Sequence, residues 1–582
     1  MEKAMIHKKE LKQFIEERKN EMITIKELQE VCIQMGNNMS AEVVIDFIKK
    51  SRFLISNCSK RAFRQLLFTI DSLFTFRRVS FCDVEFLLKM DEVKEKIKQY
   101  FTPNELIFVF EQKRILLLLL DENLITVDSL IEEVCSGESF FFYFFPEIKE
   151  RNFEEFSSKI HGKFSHLLPL PDVTKHDELR RINENENEIT KFIRNNDVEK
   201  FREYISLSNK DVNDFISYSM YDRNDFVNNS DIRPRLIEYA AFYSSNDIFR
   251  FLVSNGAEIT LNLIQYAIAG GNIEIIQFLE ERKIEIDENA LRVAVQFHRN
   301  DIVEYLRDNY GKSFTISILQ QSILAFNYEY FFELLELFKY DLNEKINGDP
   351  LIIDAVNRGY SEIIEILSVY PESLDENSYS IDFDLSDFDG FTALQMAILN
   401  DRLDLVEYIL QFPNNTNNLS RSFAFSASRF KREEILNILI KIPEINVNMY
   451  YPKNGVNPLL CAIMNNDVDV IKILVCDERV NLNAIFLTSD NYGDTGLIYS
   501  IANNYSEIAK LLLNSNRVDI NQADQKGNTA LHVAIKHQNL DIVKLLLKQS
   551  TLNKSIKNKR KLTAYKLAVK NNFPQNILNQ LK

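Results

Sequence analysis

A short pattern recurs from residue 240 to residue 582 of this chain, and it limits what the chain can fold into. In each copy a small residue is followed, seven positions later, by an acidic residue or glutamine with an apolar residue close behind. A weaker copy has Phe192 at the small position. Successive copies lie 27 to 42 residues apart, so the pattern predicts stacked repeats in which each repeat packs only against its neighbours. The eleven small residues, here called anchors, are Ala240, Ala267, Ala294, Ser322, Ala355, Ala397, Ala427, Ala462, Ser500, Ala534 and Ala568.

The clearest repeat lies between residues 524 and 547. Gly527 stands in a turn before a short helix that begins at Thr529, and the next helix carries a broad apolar stripe through Leu546. Neither helix can bury its stripe alone, whereas stacked copies can. A small anchor is needed because helices approach closely there, and a larger side chain would cost roughly 1–3 kcal/mol by overpacking. Four residues are predicted to end helices in the left-handed conformation: Gly271, Gly359, Asn466 and Asn504.

The segment from Gly527 to Ala534, Gly-Asn-Thr-Ala-Leu-His-Val-Ala, resembles the signature of the ankyrin family. Weaker versions begin at Gly390, Gly455 and Gly493. The resemblance implies an all-α solenoid of stacked helix-turn-helix repeats with short β-hairpin loops. Its first helices and hairpin tips would line a concave face. The resemblance also implies that His532 hydrogen-bonds the Thr529 hydroxyl and nearby backbone.

Three regions follow from how closely the chain keeps this signature. Residues 346–582 are predicted to be regular ankyrin repeats, and residues 186–345 to be shorter, divergent repeats without the box. The divergent part resembles an ankyrin-like domain of unknown function that is expanded in certain protists. Residues 1–185 carry helical patterns only, and we expect an α-helical layer that caps or extends the stack. The aromatic run Ser139–Phe145 is too apolar for a surface helix, so burial is expected.

Charge and cysteine usage narrow the function classes. A net charge of −16 disfavours nucleic acid and anionic lipid as main partners, because those surfaces are bound by clustered Lys and Arg. The six cysteines are dispersed without a CxxC pair, which indicates buried thiols in a reducing compartment. No apolar leader or membrane span is evident. We therefore expect a cytoplasmic protein with no membrane insertion and an undetermined oligomeric state.

No pattern in the chain indicates catalysis, a cofactor or a metal site. The seven histidines show no zinc-ligand spacing, and the common phosphate-binding and nucleophile motifs are missing. The acidic stretch 372–389 is interpreted as a solvated insertion, with a loop for a basic partner or for calcium as alternatives. The basic tail 554–570 is interpreted as a C-terminal cap, with a nucleic-acid patch as the alternative.

The function that follows is a scaffold or adaptor that binds a protein partner on the concave face. Contacts are expected at hairpin tips and first helices of the regular repeats, and the candidate residues are Phe391, Tyr492, Gln525, Lys526 and Lys536. The alternative is an enzyme or effector with its activity in residues 1–185 and the repeats as a targeting module.

Overall fold

The computed structural model describes most of residues 60–582. The segments outside the description are 1–59, 77–80, 111, 132–133, 135–136, 161–172, 183, 209, 223, 230, 311–313, 338–340, 347, 375–380, 413–415, 428–432, 451–455 and 488–492. The chain divides into two compact bodies. The N-terminal body comprises residues 1–341 and 369–378, and the C-terminal body comprises residues 342–368 and 379–582. The limits 185/186 and 345/346 inferred from the sequence stay predictions.

The described residues are mostly helical, as the repeat pattern predicts. The N-terminal body contains α1 (Lys60–Phe76), α2 (Phe81–Lys89), α3 (Asp91–Tyr100), α4 (Pro103–Val109), α5 (Lys113–Asp121), a 3-10 turn (Asp128–Leu130), α6 (Glu138–Ile160), α7 (Val173–Ile182), α8 (Glu188–Arg194), α9 (Val198–Ser208), α10 (Leu236–Phe242), α11 (Asn246–Ser254), α12 (Leu263–Gly270), α13 (Ile273–Glu281), α14 (Glu288–Gln296), α15 (Asn300–Tyr310), α16 (Ile316–Leu324) and α17 (Tyr328–Leu337).

The second body begins with a short antiparallel hairpin, β1 (Lys345–Ile346) and β2 (Asp349–Pro350). Its helices are α18 (Leu351–Asn357), α19 (Ser361–Leu374), α20 (Ala393–Leu399), α21 (Leu403–Ile409), α22 (Thr416–Ala427), α23 (Glu433–Leu439), α24 (Pro458–Met464), α25 (Val468–Cys476), α26 (Gly496–Ala502), α27 (Ser506–Asn514), α28 (Ala530–Lys536), α29 (Leu540–Leu547), α30 (Ala564–Lys570) and α31 (Gln575–Leu581). Helix α19 extends past residue 368 into the segment assigned to the other body.

Each repeat is a pair of short helices, and the anchor lies on the first of the pair. Within each body a first helix packs against its own second helix and against the first helix of the next repeat. Ten of the anchors are completely buried, at 0% exposure, which confirms the reason given for their small size. The side chain of Ala427 lies outside the description. At the weaker copy, Phe192 is only half-buried, and its neighbour Ile193 takes the core position.

Every described repeat ends its first helix in the same way. The residue four positions after the anchor has positive φ, and the backbone N–H at the fifth position donates to the anchor carbonyl, as in Asn539 to Ala534. The predicted helix ends at Gly271, Gly359, Asn466 and Asn504 are confirmed, with φ of 77°, 71°, 54° and 61°. The same position is held elsewhere by residues that the sequence did not mark: Asn196, Ser244, His298, Phe326, Asp401, Gln538 and Asn572.

The starts of the first helices in the regular repeats are capped by side chains. Thr495, Asn457 and Thr563 accept a bond from the backbone N–H three residues on. The interpretation of His532 is confirmed. Its Nε2 lies 3.2 Å from the Leu562 carbonyl, which can only accept, so Nδ1 accepts from the Thr529 hydroxyl at 2.9 Å. Burial lowers the pKa of His532, which favours this neutral form.

The hairpin loops between repeats, here called fingers, are joined by asparagine side chains. Asn483 Nδ2 donates to the Arg517 carbonyl at 3.1 Å, and its Oδ1 accepts from the Asp519 N–H at 2.6 Å. Asn448 and Asn521 make the equivalent pair of bonds to the finger that follows each of them. Each amide therefore satisfies one backbone donor and one acceptor of the next repeat, which fixes the register of the fingers.

Helices of residues 60–182 pack along the divergent repeats. The Phe68 ring on α1 stacks on Phe326 with centroids 5.4 Å apart, and Ser72 Oγ donates to the Ala325 carbonyl at 2.9 Å. These contacts reach the fourth of the divergent repeats that begin at α10. The predicted burial of the aromatic run on α6 is confirmed for Phe141, Tyr143, Phe144 and Phe145.

Candidate partner-binding surface

One face of the C-terminal body combines the fingers with the exposed side of the first helices, and we call it the first-helix face. Finger residues and first-helix residues meet directly on it. Phe486 of one finger lies 4.7 Å from Tyr499 of α26 between ring centroids. Tyr450 of the preceding finger donates to the Ile485 carbonyl at 3.0 Å. Cys461 of α24 packs against the same cluster.

The positions two and three residues after each anchor form the outer part of this face. In the regular repeats with described side chains, these positions are Asn357 and Arg358, Leu399 and Asn400, Met464 and Asn465, Ala502 and Asn503, Lys536 and His537, and Lys570 and Asn571. All of them are exposed or half-buried, and Met464 is 40% exposed. Because the positions repeat from helix to helix, the described ones form a stripe of mixed polar and apolar side chains on both sides of residues 428–432, which lie outside the description.

This face also carries exposed apolar side chains. Leu487 in the finger before α26 is 45% exposed, and Phe388 at a finger tip is 87% exposed. The Phe388 backbone N–H donates to Asp349 Oδ1 at 2.9 Å, so the tip is fixed although its ring is free. Large exposed aromatic side chains on a rigid turn are typical of binding surfaces.

The structure places the residues predicted from the sequence in different settings. Gln525 and Lys526 are exposed at a finger tip, and Lys536 is exposed on the first-helix stripe. Phe391 is half-buried and packs edge-to-face on Phe425, with ring centroids 5.7 Å apart. Its ring is therefore partly used in packing within the protein. Tyr492 lies outside the described residues. All five stay predictions.

Sequence reasoning missed Met464, Leu487 and Phe388. Counting two and three positions on from each anchor would have found Met464, because that rule also finds Lys536. Leu487 and Phe388 could not be found by counting from the anchors, because the fingers differ in length between repeats.

Electrostatics vary along the fingers. Burial, helped by the neighbouring Asp524 carboxylate, raises the pKa of Asp494 to about 6, and Lys526 opposes this rise. In the acidic stretch 372–389, residues 372–374 end α19 and residues 381–389 are also described. Asp387 Oδ1 accepts from the Phe391 N–H at 2.7 Å, a bond typical of an aspartate in a turn. The alternatives of a basic partner or calcium for this stretch stay open.

The equivalent face of the divergent repeats is covered by the chain itself. Phe226 packs against Phe242, Tyr266 and Phe297, with ring centroids 6.1, 5.1 and 5.0 Å apart. These three residues are buried and belong to successive repeats. Phe242 and Phe297 occupy the two positions that form the stripe in the regular repeats, and Tyr266 comes one residue before its anchor. The covering continues at Phe326, under Phe68 of α1. In the sequence, this difference between covered and open faces is indicated by aromatic residues in the divergent repeats and polar residues in the regular repeats.

Polar side chains of residues 113–182 are paired within the N-terminal body. Lys113 Nζ bonds Ser139 and the Met220 carbonyl, and burial lowers its pKa to about 8. His176 Nδ1 lies 3.0 Å from the Tyr221 hydroxyl, and Arg180 pairs with Glu147 at 2.9 Å. These bonds join the N-terminal helices to one another and to the loop before α10, which is a structural use of the groups.

Within the part of the chain that the structure describes, no group of three or more His, Cys, Asp or Glu side chains could hold a metal ion. None of the described helices is both long and apolar enough to cross a bilayer.

Comparison with known families agrees with the repeat pattern. Residues 423–524 and 516–581 match ankyrin repeats in three copies. Residues 254–334 match a domain of unknown function (DUF3447). No curated protein matches the chain significantly. The resemblance noted in the sequence, with a divergent domain before regular repeats, is thereby confirmed for these residues.

Proposed function

We propose that this chain, an ankyrin-repeat protein, is a scaffold or adaptor whose protein partner docks on the first-helix face of residues 342–582. Ankyrin repeats serve protein–protein interaction in general, and the identity of the face goes beyond that general role. In the resemblance that the sequence shows, this is the concave face of the stack.

The observation that carries the proposal is the contrast between the two bodies. At related positions the divergent repeats have Phe242 and Phe297, both buried under Phe226. The regular repeats have Asn503, Lys536 and other exposed side chains. A face that the chain already covers offers no room for a partner, so the open face in the C-terminal body is where docking is favoured.

Rigidity supports the same choice. The asparagine bonds between fingers and the capped first helices hold the exposed side chains in place before any partner arrives. A surface that is already ordered loses little conformational entropy on binding. The first-helix face also mixes Met464 and Leu487 with amide side chains, which is the composition of a protein interface.

Site-specific photo-crosslinking of the full chain tests this assignment. A benzoylphenylalanine at Met464 or Asn503 should capture the same protein from the native cell extract. The same group at Lys472 or Lys510, which are exposed on the second helices, is the matched control and should not capture it. Equal capture from both sets of positions would contradict the proposed face.

The proposal includes a cytoplasmic location and no catalytic step. The location rests on the dispersed cysteines, of which Cys461 is half-buried with a pKa raised by burial. The prediction of buried thiols is wrong for Cys476, which is exposed. The alternative of an enzymatic region in residues 1–185 would show as turnover by the full chain that is lost on changing Lys113 or His176 but unaffected by changes on the first-helix face.

A further inference from the structure

The last repeat carries a charge opposite to that of the chain. Residues 542–582 contain ten Lys or Arg and no Asp or Glu, whereas the chain has a net charge of −16. An excess of this size over one repeat gives a local positive field that the rest of the surface does not share.

Six of these cations form one surface, here called the basic tip. They come from the last finger and from α30, and all are exposed. By comparison, Lys472 on a second helix of the C-terminal body pairs with Asp469 at 2.8 Å. In the described part of the chain no salt bridge involves any member of the basic tip, whose residues are Lys557, Lys559, Arg560, Lys561, Lys566 and Lys570.

The finger that presents the basic tip is held in one conformation. Asn558 Oδ1 accepts from the Arg560 and Leu562 N–H groups, both at 3.0 Å, and Asn558 Nδ2 donates to Asn528 Oδ1 at 3.0 Å. The Lys559 N–H donates to the Lys526 carbonyl at 2.9 Å, which ties this finger to the one before it. The charged side chains therefore extend from an ordered turn.

The composition of this turn differs from that of the other fingers. At the turn position with positive φ, four described fingers have glycine, whereas the last has Lys561 at φ 59°; the glycines are Gly348, Gly390, Gly493 and Gly527. A lysine in this conformation is less stable than glycine. The preceding fingers also have Asp387 or Asp524 where the last has Asn558. Both differences raise the positive charge, one of them against the backbone preference.

We infer that the basic tip binds an acidic, extended segment of the protein partner, which deepens the proposed function and rests on it. The six cations spread from the finger tip onto α30 on the first-helix face, so one segment can cross all of them. Lysine ammonium groups on flexible stems accommodate carboxylates at irregular spacing.

Two neighbouring carboxylates favour a protein segment over a nucleic acid. Asp524 lies in the finger next to the basic tip, and Asp494 lies in the finger before that one. A phosphate backbone carries charge at uniform spacing and would meet them, whereas a peptide places acidic residues only where the cations are. The basic tip also has a single arginine for bidentate phosphate contacts.

The test compares two variants of the full chain that lose the same charge. The tip variant combines Lys559→Gln, Arg560→Gln and Lys561→Gly, which brings the turn close to its Gln525-Lys526-Gly527 counterpart. The control combines Lys510→Gln, Lys544→Gln and Lys548→Gln, three exposed cations of the second-helix side. The probe is a fluorescein-labelled peptide of alternating Glu and Ser, with a Gln-Ser peptide, oligothymidylate and phosphatidylserine vesicles as further ligands.

At physiological ionic strength the Glu-Ser peptide should bind the unchanged protein, and the Gln-Ser peptide should not. The tip variant should weaken binding at least about tenfold, and the control less than about twofold. Equal weakening in both variants would overturn the inference, because only a general field would remain. Tighter binding of oligothymidylate or of the vesicles than of the peptide would also overturn it. Crosslinking from Met464 tests the proposed function separately, so either can fail alone.

Discussion

Replacing Asn483 with alanine removes one link in the row of asparagines that joins the fingers. The change deletes the bond from Asn483 Nδ2 to the Arg517 carbonyl and the bond from the Asp519 N–H to Asn483 Oδ1. The bond that the Asn483 N–H donates to Asn481 is kept, since it uses the backbone. The substitution therefore weakens the contact between two neighbouring repeats and leaves each repeat itself intact.

The expected loss is about 1–2 kcal/mol of unfolding free energy. Each net intramolecular hydrogen bond contributes about 0.5–1.5 kcal/mol, and two are lost. Both bonds lie near the surface, where water can replace the amide, so the estimate stays at the lower half of the sum. Because each repeat contacts only its neighbours, this loss of free energy falls on the single interface between the two repeats that Asn483 joins.

The measurement combines urea unfolding, followed by far-UV circular dichroism, with hydrogen exchange at the Asp519 amide. The control is Asn553→Ala, since the Asn553 side chain also makes two bonds but both join it to Ser555 of its own turn. The Asn483 variant should exchange faster at Asp519, whereas the control should leave that amide unchanged. Faster exchange at Asp519 in both variants, or in neither, would refute the reasoning.

Three further changes follow from the same geometry. Asp494→Asn should raise the unfolding free energy by about 1 kcal/mol at neutral pH, after allowance for the half-exposed carboxyl. Because the pKa of Asp494 is about 6 in the folded protein and ordinarily 3.8, the stability of the unchanged protein should fall as pH rises from 3.8 to 6. Urea midpoints that do not change with pH would contradict this. Gln538→Gly should raise the unfolding midpoint by relieving φ of 55°, a gain of about 0.5–1 kcal/mol; a lowered midpoint would argue against it. Phe226→Ala should destabilise the N-terminal body by about 2 kcal/mol. Phe388→Ala, which removes an 87% exposed ring, should lower the unfolding free energy by less than about 0.5 kcal/mol. Calorimetric unfolding of the two variants measures this difference.

Local features of the fold were predictable because they depend on neighbours in sequence. The anchors follow from the close approach of helices, and ten of them are completely buried. The glycine and asparagine helix ends follow from the left-handed conformation, as at Gly271 and Asn504. By contrast, Phe326 and Ser244 adopt positive φ without being residues that favour it. Their side chains make contacts beyond their own repeat, such as the bond that Ser244 Oγ donates to the Gly270 carbonyl at 3.2 Å.

The covering of the divergent repeats could not be predicted from periodicity. The stacking of Phe68 on Phe326 joins residues that are far apart in the chain, and no local pattern encodes such a pairing. The binding surface, too, was predictable only where it depends on a local pattern. Lys536 was found because it belongs to a repeating position, whereas the support of Phe391 by Phe425 depends on the fold of a neighbouring repeat.

Hydroxyl-radical footprinting of the free, full-length protein tests the central claim most directly. The claim is that one body keeps its first-helix face open and the other keeps it covered. We expect rapid labelling of Met464 and Leu487 and protection of Phe242, Phe297 and Phe326. Comparable labelling rates in the two sets, corrected for intrinsic reactivity, would contradict the claim.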